Sequence, residues 1–124
     1  MSYRLTPQAM ADIEAIGDYI SQFNPAAATK LIRRMAERWE LLATQPHSGA
    51  ERTDLLPELR HVVLGEYVTF YRVEGAGILI LRVLHGHRHV SADDVSSWRP
   101  STFQSIQRNF HRGPQLLDRL AADR

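Results

Sequence analysis

The amino-acid sequence predicts an α+β domain in which a helical hairpin packs on an antiparallel sheet of three or four strands. Residues 7–45 contain two segments with apolar residues at helical spacing. Residues 59–89 contain three apolar runs that alternate with polar residues and are separated by turns containing glycine, which is the pattern of a strand meander. At 124 residues the chain is long enough for one hydrophobic core, so both regions are expected to share it.

Each predicted helix begins with a polar residue followed by proline. Thr6-Pro7 and Asn24-Pro25 pair a capping side chain with a residue that lacks an amide hydrogen, which suits the first helical position. The first helix is expected to close near Phe23. Gln45-Pro46 should end the second, because the residue before a proline disfavours helical backbone angles. One face of the second helix is apolar over its whole length: Ala28, Leu31, Ile32, Met35, Trp39 and Leu42.

The sheet is the surface on which this hairpin should bury its apolar face. Ser2 to Leu5 is predicted as a short edge strand, and residues 46–58 as a loop across the sheet edge. We expect the helical residues Leu31, Met35, Trp39 and Leu42 to pack against Phe70, Leu79 and Leu81, or against the residues that alternate with them.

The C-terminal part divides into a short helix and an extension. Ser91 to Trp98 is a helix candidate, since Ser91 is a capping residue and Asp93-Asp94 complement the positive helix end. We therefore predict a domain over residues 1–99 and a C-terminal extension of unknown role over residues 100–124.

Composition excludes several classes of protein. No run approaches the roughly 18 apolar residues that span a bilayer, and the N-terminus is not a signal peptide, so a cytoplasmic location without membrane contact is expected. The absence of cysteine excludes disulfides and Cys-ligated zinc. A net charge of +1 gives no reason to expect direct binding of nucleic acid. Fourteen arginines stand against one lysine, Lys30, which indicates either a codon bias or a surface for an acidic partner.

An ordered set of motifs resembles the ParE toxins of bacterial toxin–antitoxin pairs, within the wider ParE/RelE fold. Pro46-x-x-Gly49 is followed by Leu59-Arg60, then by the Y-x-x-F-Y-R-V run that starts at Tyr67, then by ILILRVLHG-x-R starting at Ile78. The resemblance covers about residues 1–99. It implies a protein that poisons DNA gyrase, has no reaction and no cofactor of its own, and is silenced by a cognate antitoxin.

Two other functions remain open. Relatives of the RelE type cut messenger RNA on the ribosome, which requires cationic groups that converge on one phosphate. Those ribonucleases commonly carry a catalytic arginine at the position of Val68, and a valine cannot donate the hydrogen bond. The third possibility is a family member retained only as an interaction module.

The candidate site residues follow from this resemblance and from the basic strand ends. Candidates for contact with the target are Arg60, Arg82, His85, His87 and Arg88, and a ribonuclease would draw its catalytic groups from Arg60, Arg82, His85 and Arg88. Candidates for contact with the antitoxin are Arg33, Arg34, Trp39 and Arg60.

The histidines at positions 85, 87 and 89 also raise the question of a metal site. On a continued strand they would share one face. Gly86 indicates that the strand has already ended, which would scatter the three rings, and no metalloprotease motif accompanies them. We therefore predict no metal.

Overall fold

The computed structural model describes residues 2–86 and 90–95. It contains, in chain order, β1 (Tyr3–Leu5), α1 (Pro7–Ser21), α2 (Pro25–Thr44), a 3-10 turn (Pro46–Ser48), β2 (Ala50–Glu51), β3 (Arg60–Leu64), β4 (Tyr67–Glu74), β5 (Gly77–His85) and α3 (Ala92–Val95). His87, Arg88, His89, the predicted end of the last helix and the extension over residues 100–124 lie outside the described residues.

The two long helices begin where their capping residues predict. The Thr6 hydroxyl accepts a hydrogen bond from the amide of Ala9 (3.1 Å), and the Asn24 side chain accepts one from the amide of Ala27 (3.1 Å). α1 ends two residues earlier than predicted, at Ser21, and α2 ends at Thr44. Neither these helices nor α3 are long and apolar enough to cross a bilayer.

The sheet has five strands in the order β1-β5-β4-β3-β2. The α+β class and the packing of the helical hairpin on the sheet are confirmed, whereas the prediction of three or four strands is wrong. β1 runs parallel to β5, so the sheet is mixed rather than purely antiparallel. The additional strand, β2, comprises only Ala50 and Glu51. A strand of two residues is too short to show a period-two pattern, which is why the sequence does not reveal it.

The helix-facing side of the sheet forms the larger core. Trp39 lies at its centre, where its ring meets Tyr3 edge to face at 5.4 Å and its indole Nε1 donates to the Thr69 hydroxyl at 3.0 Å. The predicted helical stripe is buried here, but against the alternating set of strand residues. From the sheet that set is Val62, Tyr71, Ile78, Ile80 and Val83.

The opposite side of the sheet is also apolar. Phe70, Leu79 and Leu81, which were the first-named partners for the helices, belong to this second core. The loop between β2 and β3 covers one part of it through Leu55, Leu56 and Leu59, and residues 90–95 cover another. The sheet is therefore buried on both sides, so apolar alternation alone could not show which set of residues faces the helices.

Candidate functional site

Two side chains from the ordered set of motifs, Tyr71 and Arg60, hold the turn at residues 46–49 to the sheet. The Tyr71 hydroxyl donates to the Pro46 carbonyl (2.6 Å) and accepts from the Gly49 amide (3.0 Å). The Arg60 guanidinium donates to the carbonyls of His47 (3.0 Å) and Gly49 (2.8 Å). Arg60 is thus occupied in fixing this turn.

Gly49 is required by the same contact. A Cβ atom at this position would lie 2.3 Å from the Tyr71 hydroxyl oxygen and 2.9 Å from the carbonyl oxygen of His61. No side chain fits in that space unless the turn moves. The P-x-x-G, L-R and tyrosine elements of the motif are therefore parts of one structural unit.

Arg82 joins three elements at the end of β5. β4 pairs Phe70 with Arg82 and Tyr71 with Ile80, which leaves Leu81 as the extra residue of a β-bulge. The Arg82 guanidinium makes two hydrogen bonds to the Asp12 carboxylate on α1 (2.7 and 3.0 Å) and one to the Asp94 carbonyl on α3 (2.9 Å). Hydrogen bonding to Asp12 raises the pKa of Arg82. Asp12 also accepts from the amide of Val83, so this ion pair closes a sheet edge that β1 does not reach.

A cleft of about 510 Å³ opens on the side of the sheet away from the helices. Its polar lining comes from Arg52, Asp54, His61, His85 and Ser91, and its apolar lining from Leu55, Val68, Phe70 and Val90. The side chains come from β3, β4, β5 and from the two segments that cover this side of the sheet. A cleft of this size fits a small ligand or a peptide side chain.

Arg52 and Asp54 form an ion pair at the rim of the cleft. The guanidinium donates to both carboxylate oxygens (3.0 and 3.1 Å) and lies 5.8 Å from the centre of the Phe70 ring. This hydrogen bonding lowers the pKa of the exposed Asp54 carboxyl and raises that of Arg52. The charge of Arg52 is therefore largely balanced within the chain.

His61 stands beside this pair on β3. Its ring is tilted against Phe70 at 5.9 Å, and its buried Nδ1 atom has no hydrogen-bond partner within the described residues. Burial, followed by the positive charge of Arg52, lowers the pKa of His61, and the charge of Asp54 opposes this shift. His61 is accordingly a neutral imidazole near pH 7.

His85 approaches the cleft from the end of β5. Its Nε2 atom lies 3.3 Å from a carboxylate oxygen of Glu66, and its ring meets Tyr67 edge to face at 5.4 Å. Burial raises the pKa of Tyr67, and the negative charge of Glu66 adds to this shift. The cleft thus combines the imidazoles of His61 and His85, the guanidinium of Arg52, which is paired with Asp54, and apolar lining residues.

Comparison with known proteins identifies the family. The model of the family described as ParE toxin of type II toxin–antitoxin system, parDE, matches residues 3–90. The chain belongs to the ParE toxin family. It is 40% identical to toxin RelE2 of Caulobacter vibrioides over 67% of this chain and 92% of the relative. It is also 32% identical to the putative toxin Y4kP of Sinorhizobium fredii over 68% of this chain and 88% of the relative.

A solved structure supports the same assignment. The chain resembles a protein of the chromosomal ParDE system from P. aeruginosa with a TM-score of 0.58 and 32% identity, over 68% of this chain and 95% of the solved one. The toxin ParE3 of Caulobacter vibrioides is 31% identical over 52% of this chain and 65% of that toxin. The chain is therefore a toxin of the ParE/RelE superfamily of type II toxin–antitoxin systems.

The three predicted target-contact residues within the described part of the chain do not meet at one site. His85 lines the cleft, but Arg60 holds the turn at 46–49 and Arg82 is bound to Asp12. His87 and Arg88 lie outside the described residues. The structure instead places Arg52, Asp54 and His61 beside His85, and the sequence analysis did not select these three. The one signal for His61 was its position next to Arg60, at the start of a strand.

The predicted antitoxin contacts divide between surface and core. Arg33 and Arg34 are exposed on α2. Trp39 is only 1% exposed and is hydrogen-bonded within the core. A side chain in that position is not accessible to a partner, so Trp39 is corrected to a core residue.

Proposed function

We propose that this toxin inhibits DNA gyrase in the cytoplasm, catalyses no reaction, and is neutralised by a cognate antitoxin. The observation that supports this choice over ribonuclease activity is the chemistry of the cleft. Val68 lines it at the position where RelE-type relatives commonly carry a catalytic arginine. The guanidinium that does line the cleft, Arg52, is paired with Asp54.

Cleavage of RNA by a protein without metal needs positive charge where the phosphorane develops. Preorganised donors stabilise that charge only if they point at the same few oxygen atoms. Arg60 and Arg82 donate to carbonyl and carboxylate groups of the protein itself and come from β3 and β5, which lie on either side of β4. To bind a phosphate, each would have to give up these bonds or use its remaining N–H groups.

The ribonuclease remains the second candidate because two imidazoles line one cleft. His61, kept neutral by burial, suits a general base, and His85 beside Glu66 suits a general acid. Similarity to a toxin named RelE2 also favours testing this candidate. Its weakness is the compensated charge of Arg52.

Two assays on the purified toxin separate these functions. In a supercoiling assay with gyrase, we expect loss of supercoiling and accumulation of cleaved DNA. In a translating extract, primer extension on messenger RNA should show no cuts that depend on the toxin. Codon-positioned cuts that disappear in both His61→Ala and His85→Ala toxins would instead establish the ribonuclease.

A matched pair of variants then locates the activity. His61→Ala removes the cleft imidazole, whereas His47→Ala removes an exposed histidine in the turn before β2. If gyrase is the target and the cleft is not catalytic, both variants should retain inhibition within a few-fold. Gyrase that remains fully active at a large excess of wild-type toxin would rule out the proposal.

A further inference from the structure

An exposed pair of aromatic rings lies at the C-terminal end of α1. Tyr19 is 62% exposed and Phe23 is 73% exposed, and their rings meet edge to face at 5.5 Å. The other exposed large apolar side chains of the described residues, Leu41 and Val63, lie on α2 and β3. Adjacent aromatic rings form an apolar patch, and a segment that covers the patch removes it from water.

The aromatic pair belongs to a row of residues that begins at Asp12. Asp12, Ile16, Tyr19 and Phe23 follow one another at intervals of four, three and four residues, which places them on one side of a helix. Phe23 lies just after α1, where its amide still donates to the Ile20 carbonyl (3.0 Å). Ile16 is partly buried against the helix-side core. This row, the α1 stripe, is about 16 Å long on helical geometry.

The described part of the chain ends beside the first residue of the α1 stripe. The Arg82 guanidinium donates to the Asp12 carboxylate and to the Asp94 carbonyl, so a single side chain joins the two. Asp94 and Val95 are the last residues of α3 and the last that the structure describes. Residues 96–124 are therefore attached to the domain at the Asp12 end of the α1 stripe.

The sequence of residues 96–124, which lie outside the described residues, carries an apolar pattern of its own. Phe103, Ile106 and Phe110 recur at intervals of three and four residues, the spacing of one helical face. A helix over residues 103–110 would be about 10 Å long. The seven residues 96–102 precede it, and an extended chain of that length reaches about 23 Å. The pattern can therefore reach both aromatic rings of the α1 stripe.

Net charge favours this segment over a second copy of the chain. α1 contains three carboxylates and no lysine or arginine. Residues 96–113 contain three arginines and no aspartate or glutamate. Opposite charges attract across about 10 Å at moderate ionic strength. A second copy that packed its own α1 on this helix would bring like charges together.

We propose that residues 96–113 bind along the α1 stripe of the same chain, so that Phe103, Ile106 and Phe110 cover Tyr19 and Phe23. A partner that binds this side of α1 would then have to displace the segment. The family model matches residues 3–90, and the match to toxin RelE2 covers 92% of that toxin but 67% of this chain. The segment thus lies outside the family match. The inference depends on neither the target nor the antitoxin.

A spin label on the full-length toxin locates the segment. The chain has no cysteine, so Gln107→Cys provides a single attachment site next to Ile106. A nitroxide at this position broadens the amide signals of nearby residues, and the same protein with reduced nitroxide is the reference. We expect the strongest broadening within the domain at Tyr19 and Phe23. Broadening should be weaker at Leu41 on α2 and at His61 in the cleft.

A matched pair of substitutions in the spin-labelled protein tests the patch itself. Tyr19→Ser removes a ring of the α1 stripe, whereas Leu41→Ser removes an equally exposed side chain from α2, since their exposures are 62% and 61%. Loss of one ring that the segment covers should lower the ratio of bound to unbound segment about tenfold or more. Tyr19→Ser should therefore reduce the broadening at Phe23, and Leu41→Ser should leave it unchanged. Equal reductions in the two variants would overturn the proposal.

The remaining outcomes each overturn the proposed location. Strongest broadening around His61 would place the segment in the cleft. Broadening that is equally weak throughout the domain would show that the segment does not bind it. A mixture of spin-labelled toxin and isotope-enriched, unlabelled toxin separates the last alternative, because broadening in the mixture would assign the contact to a second copy. None of these results changes the proposed function, which is tested with gyrase and messenger RNA.

Discussion

The two faces of the sheet differ in how completely they are covered. The helix-facing side lies under two long helices, and its central polar atom, the indole nitrogen of Trp39, has a hydrogen-bond partner in Thr69. The other side lies under one loop and residues 90–95, and it contains a cleft with two histidines and an ion pair. The side chains on the first side are therefore mostly buried, whereas the second side has a cleft lined by titratable groups.

This difference indicates that the helix side mainly stabilises the fold, whereas the cleft side can vary without loss of the fold. Continuous burial of large side chains provides most of the free energy of folding, so changes on the helix side should appear as losses of stability. Polar groups in a cleft contribute little stability and can differ between relatives with the same fold. We therefore expect the largest changes in stability on the helix side of the sheet and the smallest in the cleft.

The largest effect is expected for Trp39→Ala on the helix side. It removes a fully buried ring and leaves the Thr69 hydroxyl without its partner, so the free energy of unfolding should fall by about 3–5 kcal/mol. Leu41→Ala, at an exposed position of the same helix, should change it by less than about 0.5 kcal/mol. Urea titrations of the wild type and of the two variants measure both changes in the free energy of unfolding. Equal losses for Trp39→Ala and Leu41→Ala would contradict the packing described for α2.

A middle effect is expected for Val95→Ala on the cleft side. Val95 is 1% exposed and packs on the second core from the short helix α3. Removal of its two methyl groups should cost roughly 1.5–2.5 kcal/mol, counted as buried carbon groups lost from the interior. Thr53→Ala in the exposed loop is the control. If Val95→Ala lowers the free energy of unfolding as much as Trp39→Ala does, the two sides of the sheet contribute equally to stability.

The smallest effect is a pH dependence of stability that originates in His61. Because burial lowers its pKa in the folded protein below the ordinary 6.5, the unfolded chain binds more protons when the pH falls below about 6.5. The stabilising contribution is therefore complete above that pH and is lost progressively below it. His61→Gln should flatten this part of the stability curve between pH 5 and 7.5, whereas His47→Gln should leave it as in wild type. A His61→Gln curve that superimposes on the wild-type curve would show that His61 is not buried in solution.

Local sequence signals predicted the helix starts. The pairing of distant segments determined the arrangement of the strands and the side of the sheet that faces the helices. The capping residues Thr6 and Asn24 act within three residues of themselves, so the sequence located both helix starts. The parallel pairing of β1 with β5 joins Tyr3 to Ile78, and no local pattern encodes a partner so far along the chain. The side of the sheet that faces the helices also stayed open, because both sets of alternating residues are apolar.

The candidate site was less predictable than the fold. Arg60 and Arg82 were selected as accessible basic groups, but their partners are a turn carbonyl of Gly49 and the carboxylate of Asp12, 11 and 70 residues away in the chain. The cleft forms only when β3, the loop after β2 and the end of β5 meet. Arg52 and His61 acquire a common environment there, and neither stands in a motif that would mark it.

The hydrogen bonds at residues 46–49 give the motif by which this chain resembles its family a structural role. In this chain proline, glycine, arginine and tyrosine together shape a bend and fasten it, and that requirement does not depend on what the toxin attacks. Selection on the target is then free to act on side chains elsewhere, such as those of the cleft. Exchange of surface residues between two relatives should therefore transfer the target without any change in the motif.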